Sequence, residues 1–176
     1  KHAAPEVYGA TSLEECWQLV RTAERTGMNC MMLENACYAR NWMAVLNMVR
    51  KGLFGELCHC QCGYQHDLRE RIAVGKGTVP DEEGLGDYRT MQNRKRNADL
   101  YPTHGIGPIA EYLDINHGNR FLSLTATASK ARGVHDWARR NLGDDHPAAN
   151  VDWAEGDIVT SVIKCANGET VVDDDC

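Results

Sequence analysis

The sequence predicts an α/β protein, in which the end of a parallel α/β unit is followed by a helix-backed sheet. Three observations support this fold class. Helix-like and strand-like segments alternate through the first 66 residues, a long polar stretch follows, and the last 20 residues read as a β-hairpin. The 176 residues are enough for one domain, or for one domain and part of another. Hydrophobic residues make up 43% of the chain, which is enough for a packed core.

The first predicted helix and strand belong to the α/β unit. Residues 11–27 have amphipathic helical spacing, with Thr11 or Ser12 as the N-cap and Gly27 as the stop. Residues 29–35 are a short apolar run that ends in polar residues. Such a run is typical of a buried parallel strand whose C-terminal end opens into a site.

The rest of the chain predicts a sheet with helices beside it. The predicted elements are a helix at 40–52, a strand at 55–66, a long loop at 70–98, a turn leading into a short helix at 107–113, a strand at 120–133, a loop at 144–152 and a hairpin at 156–173. Asn167-Gly168 is a strong hairpin-turn signal. No internal repeat or heptad pattern interrupts this order.

Composition excludes several classes of function. The formal net charge of −6 opposes binding to nucleic acid or to an anionic membrane surface, which requires a basic face. No apolar run approaches the roughly 20 residues of a membrane-spanning helix. The chain begins KHAAPEVYGAT, without an initiator Met or an apolar leader, so we expect a fragment that is truncated at both ends.

Three alternating cysteines, Cys58, Cys60 and Cys62, suggest a metal site at first sight. On a strand these side chains share one face at steps of about 7 Å, whereas the thiolates around one zinc ion converge at about 2.3 Å from the metal. We therefore expect no metal site and interpret the three cysteines as small buried side chains of a strand.

Several polar residues stand where chemistry is expected. Glu34 lies at the end of a buried strand, where α/β proteins bind ligands, although an ordinary turn carboxylate is an equal alternative. Tyr64 and His66 lie at the exit of the next strand and face the same way if the strand continues. Their spacing alone fits packing as well as ligand binding.

The stretch DLYPTHGIGP, 99–108, is the richest in candidate groups. Tyr101 and His104 flank Pro102 in a turn that leads into a helix. A phenol and an imidazole can exchange protons with a sugar hydroxyl or an acidic C–H. The alternative is a structural Tyr-Pro corner with His104 as a helix cap. The GIG in this stretch does not follow a strand and lacks the spacing of a dinucleotide-binding motif.

The stretches TAERTGMNCMMLEN (22–35), NMVRKGLFGELCHCQCGYQHDLR (47–69), YRT (88–90) and NADLYPTHGIGP (97–108) carry a resemblance to one family. The chain is similar to glycoside hydrolase family 109, a branch of the Gfo/Idh/MocA oxidoreductases whose characterised activity is α-N-acetylgalactosaminidase. The resemblance implies a Rossmann domain followed by an α+β domain with an open, predominantly antiparallel sheet. It implies that residues 1–37 end the NAD-binding domain and that residues 38–176 form most of the substrate domain.

The resemblance also implies a redox-neutral mechanism with NAD as cofactor and a terminal α-linked N-acetylgalactosamine as substrate. NAD⁺ takes a hydride from C3 of the sugar, a base removes the acidified C2 proton, and the group at C1 leaves by elimination. Water then adds and the hydride returns. Proton transfer next to a carbonyl suits a site of Tyr and His, and a pair of opposed carboxylates is not required.

Residue by residue, the resemblance implies three sets of roles. The NAD-contacting residues are Glu34, Asn35 and His66. The residues with catalytic roles are Tyr64, Tyr101 and His104, with either Tyr as the C2 base and His104 handling the C3 hydroxyl proton. The substrate-binding residues are Arg89, Tyr101, Pro102, Thr103 and His104.

Departures from the wider superfamily keep two alternatives open. Ordinary members place Lys-Pro after the strand-end Glu, whereas Asn35-Ala36 follows Glu34 in this chain, as in the glycosidase branch. The first alternative is an NAD(P)-dependent sugar oxidoreductase, which would release net NADH. The second is a non-catalytic sheet domain for sugar binding or oligomerisation. We expect the 176 residues by themselves neither to bind NAD tightly nor to turn over.

The resemblance extends to partners and to location. A homo-oligomer formed through the open sheet is one expectation. Many family members are exported bacterial proteins, so a periplasmic or secreted bacterial protein is a second, although the residues themselves do not fix the compartment.

Overall fold

The computed structural model describes residues 1–7, 9–75 and 87–176. Its helices are α1 (Leu13–Thr26), α2 (Arg40–Arg50), α3 (Arg69–Val74), α4 (Tyr88–Lys95), α5 (Thr103–Tyr112) and α6 (Gly133–Leu142). Its strands are β1 (His59–Tyr64), β2 (Phe121–Ala128), β3 (Val159–Cys165) and β4 (Thr170–Asp175). Short 3₁₀ helices cover Asn35–Tyr38 and Pro147–Ala149.

The four strands form one mixed sheet in the order β1-β4-β3-β2. β2, β3 and β4 are antiparallel neighbours, and β1 lies parallel to β4. The β3–β4 hairpin turns at Asn167-Gly168 as the sequence predicts, and Gly168 has a φ of +107°, which side chains rarely tolerate. The predicted α/β class with an open, largely antiparallel sheet is confirmed.

Two hydrophobic clusters hold the fold together. The first packs α5 on the inner face of the sheet, where Ile109 and Tyr112 meet Ile163 and Val171, with α2 partly buried against them. The second joins α3, α6 and the second 3₁₀ helix around Ala73, Ala138 and Trp153 beside the sheet. The first cluster matters for function because it fixes α5 against β1.

Helix α1 has the predicted cap, but the strand after it is much weaker than predicted. Ser12 accepts from the Glu15 amide and Glu15 returns a hydrogen bond, while Gly27 ends the helix in the left-handed conformation. The predicted strand at 29–35 is reduced to two isolated parallel bridges to residues 3 and 6. Residues 29–33 are exposed, so the expected burial was wrong for all but Glu34, which is buried.

The predicted loop at 70–98 was wrong at both ends. Helix α3 occupies its start, and α4 occupies residues 88–95, where Asp87 caps the helix through the Arg89 and Thr90 amides. The middle of the predicted loop, 76–86, lies outside the described residues. Helix α6 was not predicted, although its amphipathic pattern buries Ala138.

Two of the three alternating cysteines, Cys60 and Cys62, lie on β1 as expected, whereas Cys58 precedes the strand, which corrects the prediction. Cys60 and Cys62 are half-buried against the first cluster, whereas Cys58 is exposed, which corrects its predicted burial. Within the described ranges no group of three or more His, Cys, Asp or Glu side chains is arranged to hold a metal ion. In the same part of the chain, no helix is both long and apolar enough to cross a membrane.

Candidate functional site

Four rings from two separate parts of the chain meet at the end of β1. The Tyr64 ring centroid lies 4.4 Å from that of His66, 4.9 Å from Tyr101 and 5.1 Å from His104. Tyr101 and His104 are themselves 4.8 Å apart. These distances are typical of packed aromatic pairs. The structure thus brings together all four residues that the sequence singled out in the CHCQCGYQHD and DLYPTHGIGP stretches.

The local fold explains this convergence. Tyr64 is the last residue of β1, and its side chain lies on the half-buried face that packs under α5. Pro102 is the N-cap residue of α5 and Thr103 is its first residue, so His104 lies in the first helical turn. Helix α5 therefore begins four residues earlier than predicted. Its start places an imidazole directly over the end of the strand.

Arg89 joins this site from α4. Its guanidinium carbon lies 4.5 Å from the centroid of the Tyr101 ring, within cation–π distance. Asp87 fixes the start of α4 because its buried carboxylate accepts from the Arg89 amide at 2.9 Å and pairs with Arg71 at 3.5 Å. A cation therefore borders the ring cluster without occupying its centre.

Glu34 reaches the same site from the end of the weak strand at 29–35. Its Oε1 lies 2.6 Å from Nδ1 of His104 and accepts the Ala36 amide at 2.9 Å. The Glu34 side chain is 7% exposed and the His104 side chain 22% exposed. Gly107 of α5 permits this approach, because a Cβ there would lie 2.9 Å from Cγ of Glu34.

The Glu34–His104 contact orients the imidazole. Burial raises the pKa of Glu34, but the hydrogen bonds from the Ala36 amide and from His104 outweigh it, so the net pKa is lowered. An ionised carboxylate can only accept, and therefore Nδ1 of His104 is the donor. Nε2 is then the nitrogen that remains to exchange protons with a ligand.

The remaining predicted residues lie at the border of this cluster. Asn35 is exposed at the start of the first 3₁₀ helix, and His66 is exposed beyond the end of β1. Thr103 is half-buried, and its hydroxyl oxygen is buried with no hydrogen-bond partner among the described residues.

Sequence reasoning missed a group of buried carboxyls beneath the rings. Asp173 and Asp175 point inward from β4, Asp99 lies just before Tyr101, and Glu155 precedes β3. Burial, followed by the neighbouring charges of Asp173 and Asp175, raises the pKa of Asp99 to about 7. Burial and the charges of Asp175 and Asp99 raise the pKa of Glu155 to about 8. The pKa values of Asp173 and Asp175 are raised chiefly by burial.

A signal for these carboxyls is visible in the sequence. Asp is depleted in strands, yet three consecutive Asp residues, 173–175, complete the second strand of a clear hairpin. Strand alternation puts Asp173 and Asp175 on the same face as buried Val171. Acidic side chains on the core face of a strand indicate a specific set of polar partners.

Comparison with known proteins identifies the family of this chain. Residues 38–175 match the profile described as "Glycosyl hydrolase 109, C-terminal domain". This chain belongs to glycosyl hydrolase family 109. The resemblance that the sequence motifs predicted is thereby confirmed.

Two named relatives illustrate the match. The chain is 51% identical over 180 residues to a glycosyl hydrolase family 109 protein of Parabacteroides distasonis, covering 95% of this chain and 38% of the relative. It is 49% identical over 179 residues to an alpha-N-acetylgalactosaminidase of Tannerella forsythia, with the same coverage of both chains. The chain thus spans little more than a third of these relatives.

Solved structures share the fold at low sequence identity. An inositol dehydrogenase homolog complexed with NAD⁺ from Azotobacter vinelandii superimposes with a TM-score of 0.66 and 14% identity, over 98% of this chain and 39% of that one. An NAD binding oxidoreductase from Klebsiella pneumoniae gives 0.65 and 15%, over 99% and 41%. The fold is therefore that of the Gfo/Idh/MocA oxidoreductases.

Proposed function

We propose that this chain is the substrate-side part of an NAD-dependent glycosidase that removes terminal α-linked N-acetylgalactosamine. One observation carries the proposal: Glu34 orients His104 at a point where two phenols, Tyr64 and Tyr101, lie within ring contact of the imidazole. Family membership supports glycosidase chemistry, and the relative from Tannerella forsythia is named for this activity.

The residues at the site fit the nicotinamide end of NAD. Oε2 of Glu34 is buried and makes no hydrogen bond with the described residues, so it can accept from a carboxamide N–H. Asn35 and His66 border the same place from two elements. The sequence carries no G-x-G-x-x-G motif for the phosphates, which would be held by a Rossmann domain.

The chemistry that NAD supplies when bound is reversible oxidation at C3 of the sugar, with no net redox change. His104 is placed to take the proton of the C3 hydroxyl on Nε2 and to return it, because Glu34 occupies Nδ1. Tyr64 or Tyr101 removes the C2 proton while the bond from C1 to the leaving oxygen breaks and that oxygen takes up a proton. Water then adds, with its hydroxyl on C1 and a proton on C2.

Arg89 partly offsets the effect of burial on the Tyr101 phenol. Burial raises the pKa of Tyr101, and the positive charge of Arg89 opposes that rise. The guanidinium lies over the Tyr101 ring at 4.5 Å, so it stabilises a phenolate there more than a neutral phenol. Burial prevails and the net pKa of Tyr101 is raised, and Arg89 also interacts with Tyr64, so both phenols stay candidates for the C2 base.

The test replaces His104 with Ala in the full-length protein and follows cleavage of 4-nitrophenyl α-N-acetylgalactosaminide. We expect a loss of about 10²–10⁴-fold in kcat, since one general acid–base group contributes that much. His117→Ala is the matched control, because His117 is exposed in the turn after α5.

Two outcomes would overturn the proposal. Undiminished cleavage by His104→Ala would remove the assigned role of the imidazole. Release of a free oxidised sugar with net NADH, without glycoside cleavage, would instead establish the sugar oxidoreductase alternative.

Two further parts of the proposal concern assembly. Residues 1–37 complete an NAD-binding domain and residues 38–176 form the sheet domain, so the 176 residues by themselves should not retain NAD. Retention of NAD in equilibrium dialysis would contradict this.

A second copy of the chain covers the open sheet, where edge strand β2 is exposed over most of its length and Val162 on β3 is 43% exposed. Light scattering of the purified protein measures its molar mass and thus its oligomeric state.

A further inference from the structure

A buried carboxyl of the sheet, Asp175, accepts two hydrogen bonds from the turn that presents Tyr101 and His104. Oδ2 of Asp175 accepts the backbone N–H of Leu100 at 2.8 Å and that of Tyr101 at 3.2 Å. Asp175 is 6% exposed. A buried carboxyl that accepts two main-chain donors fixes the backbone that carries them, because either donor would lose its partner if the turn moved.

The strand position of Asp175 ties this turn to the other half of the ring cluster. Asp175 on β4 is the register partner of Tyr64 on the parallel strand β1. Asp175 therefore lies beside Tyr64 at the end of β1 and also binds the amide of Tyr101. The rings of these two tyrosines are 4.9 Å apart. These rings come from segments 37 residues apart in the chain, so a contact between the two segments is needed to hold the rings at this separation.

The charges around Asp175 come from four side chains. Asp99 and Asp173 are acidic neighbours, Glu155 lies close enough for its charge to act on the group, and Arg89 is the opposing cation. Burial raises the pKa of Asp175, while the two amide hydrogen bonds and Arg89 act against that rise. Both protonation states keep Oδ2 available as an acceptor for the two amides.

We propose that Asp175 is a positioning residue, which holds the Tyr101 turn against β1 so that Tyr64, Tyr101 and His104 keep their mutual geometry. This role rests on the proposed function for its effect on catalysis, but the geometric claim is independent of it. The neighbouring Asp174 provides the contrast, since its carboxylate points to the other face and accepts the Thr160 hydroxyl at 2.6 Å.

The experiment compares Asp175→Asn, Asp175→Ala and Asp174→Ala in the full-length protein. Asn keeps an acceptor oxygen of the same reach, so its kcat should stay within about threefold of the parent, and so should that of Asp174→Ala. Ala removes the acceptor, and kcat should fall on the order of 10- to 100-fold with a smaller change in KM, since small displacements of catalytic groups cost that much.

A second readout does not depend on activity. In protein labelled with ¹³C at Tyr and His, the ring-current shifts of Tyr64 and His104 should persist in Asp175→Asn and diminish in Asp175→Ala. In the parent, the Leu100 and Tyr101 amides should be protected from hydrogen exchange. An inactive parent protein with the expected shifts would contradict the proposed function but not the positioning role of Asp175.

Three results would overturn the positioning role. The first is a folded Asp175→Ala with the parent's ring shifts and kcat. The second is Asp175→Asn with the same loss as Asp175→Ala. The third, which decides the matter if Asp175→Ala does not fold, is rapid exchange of the Leu100 and Tyr101 amides in the parent.

Discussion

Two carboxyls on opposite sides of the ring cluster have the same exposure and opposite electrostatics. Glu34 and Asp175 are each 6% exposed. The pKa of Glu34 is nevertheless lowered, and the pKa of Asp175 is raised. Burial raises the pKa of both groups, so the difference between them depends on how far the neighbouring groups offset burial.

The neighbours of the two carboxyls decide it. Glu34 faces hydrogen-bond donors, the Ala36 amide and the His104 imidazole. Asp175 also accepts two amides, and Asp99 and Arg89 likewise lower its pKa, but burial outweighs all of them. The Glu34 side of the site thus holds a fixed negative charge, whereas the Asp175 side holds protons.

The largest expected effect comes from removing the fixed charge. Glu34→Gln keeps the size of the side chain, but a neutral amide can present either an acceptor or a donor to Nδ1 of His104. We expect kcat/KM of the full-length enzyme to fall by roughly 100-fold or more, because the imidazole loses its fixed tautomer and orientation.

Glu111→Gln is the control for this change, since Glu111 is exposed on the same helix as His104. Equal kcat/KM values for Glu34→Gln and Glu111→Gln would contradict the prediction. The short Glu34–His104 contact would then have no part in orienting the imidazole.

The sequence predicted the elements that have local signals. The Ser12–Glu15 capping box, the Gly27 stop and the Asn167-Gly168 turn depend on residues within four positions of one another. Helices α3 and α4 were missed because they are 6 and 8 residues long and too short to show a periodic pattern, and their buried residues are Ile72, Ala73 and Thr90. Their stability comes from packing and caps rather than from a hydrophobic pattern.

The site was predictable as a set of residues but not as a geometry. Tyr64, Tyr101 and His104 stand in motifs that the family resemblance singles out. The pairing of Glu34 with His104 spans 70 residues, and the attachment of Leu100 to Asp175 spans 75. No local spacing reports such contacts, which arise only once α5 has packed on the sheet.

The acid-rich side gives a smaller effect, on stability rather than activity. The pKa of Asp99 is raised from 3.8 to about 7, so between these values the folded chain holds a proton that the unfolded chain releases. Stability therefore falls as pH rises through this window and levels off above about pH 7. Asp99→Asn removes this titration. The free energy of unfolding of the variant, relative to that of the parent, should therefore be higher at pH 8 than at pH 5 by roughly 1 kcal/mol or more.

Urea unfolding of the parent, of Asp99→Asn and of Asp145→Asn at pH 5 and pH 8 measures this difference. Asp145 is exposed, so its variant should follow the parent at both values. Parallel pH dependence of the parent and Asp99→Asn would show that the acids on this side are ionised like Glu34, and the contrast between the two sides would disappear.

The smallest effect concerns a thiol at the edge of the acid-rich side. Cys62 donates its S–H to Oδ1 of Asp173 at 3.3 Å, and burial, followed by the charge of Asp173, raises the pKa of this thiol. Since the thiolate is the reactive form, iodoacetamide at pH 8 should alkylate exposed Cys58 of the native protein at least about fivefold faster than Cys62.

Peptide mass spectrometry follows alkylation at both cysteines. Protein unfolded in urea is the control, because the difference between the two rates should vanish there. Equal labelling of the native chain would mean that Asp173 does not hold the thiol proton. The carboxyl of Asp173 would then have no effect on the reactivity of Cys62.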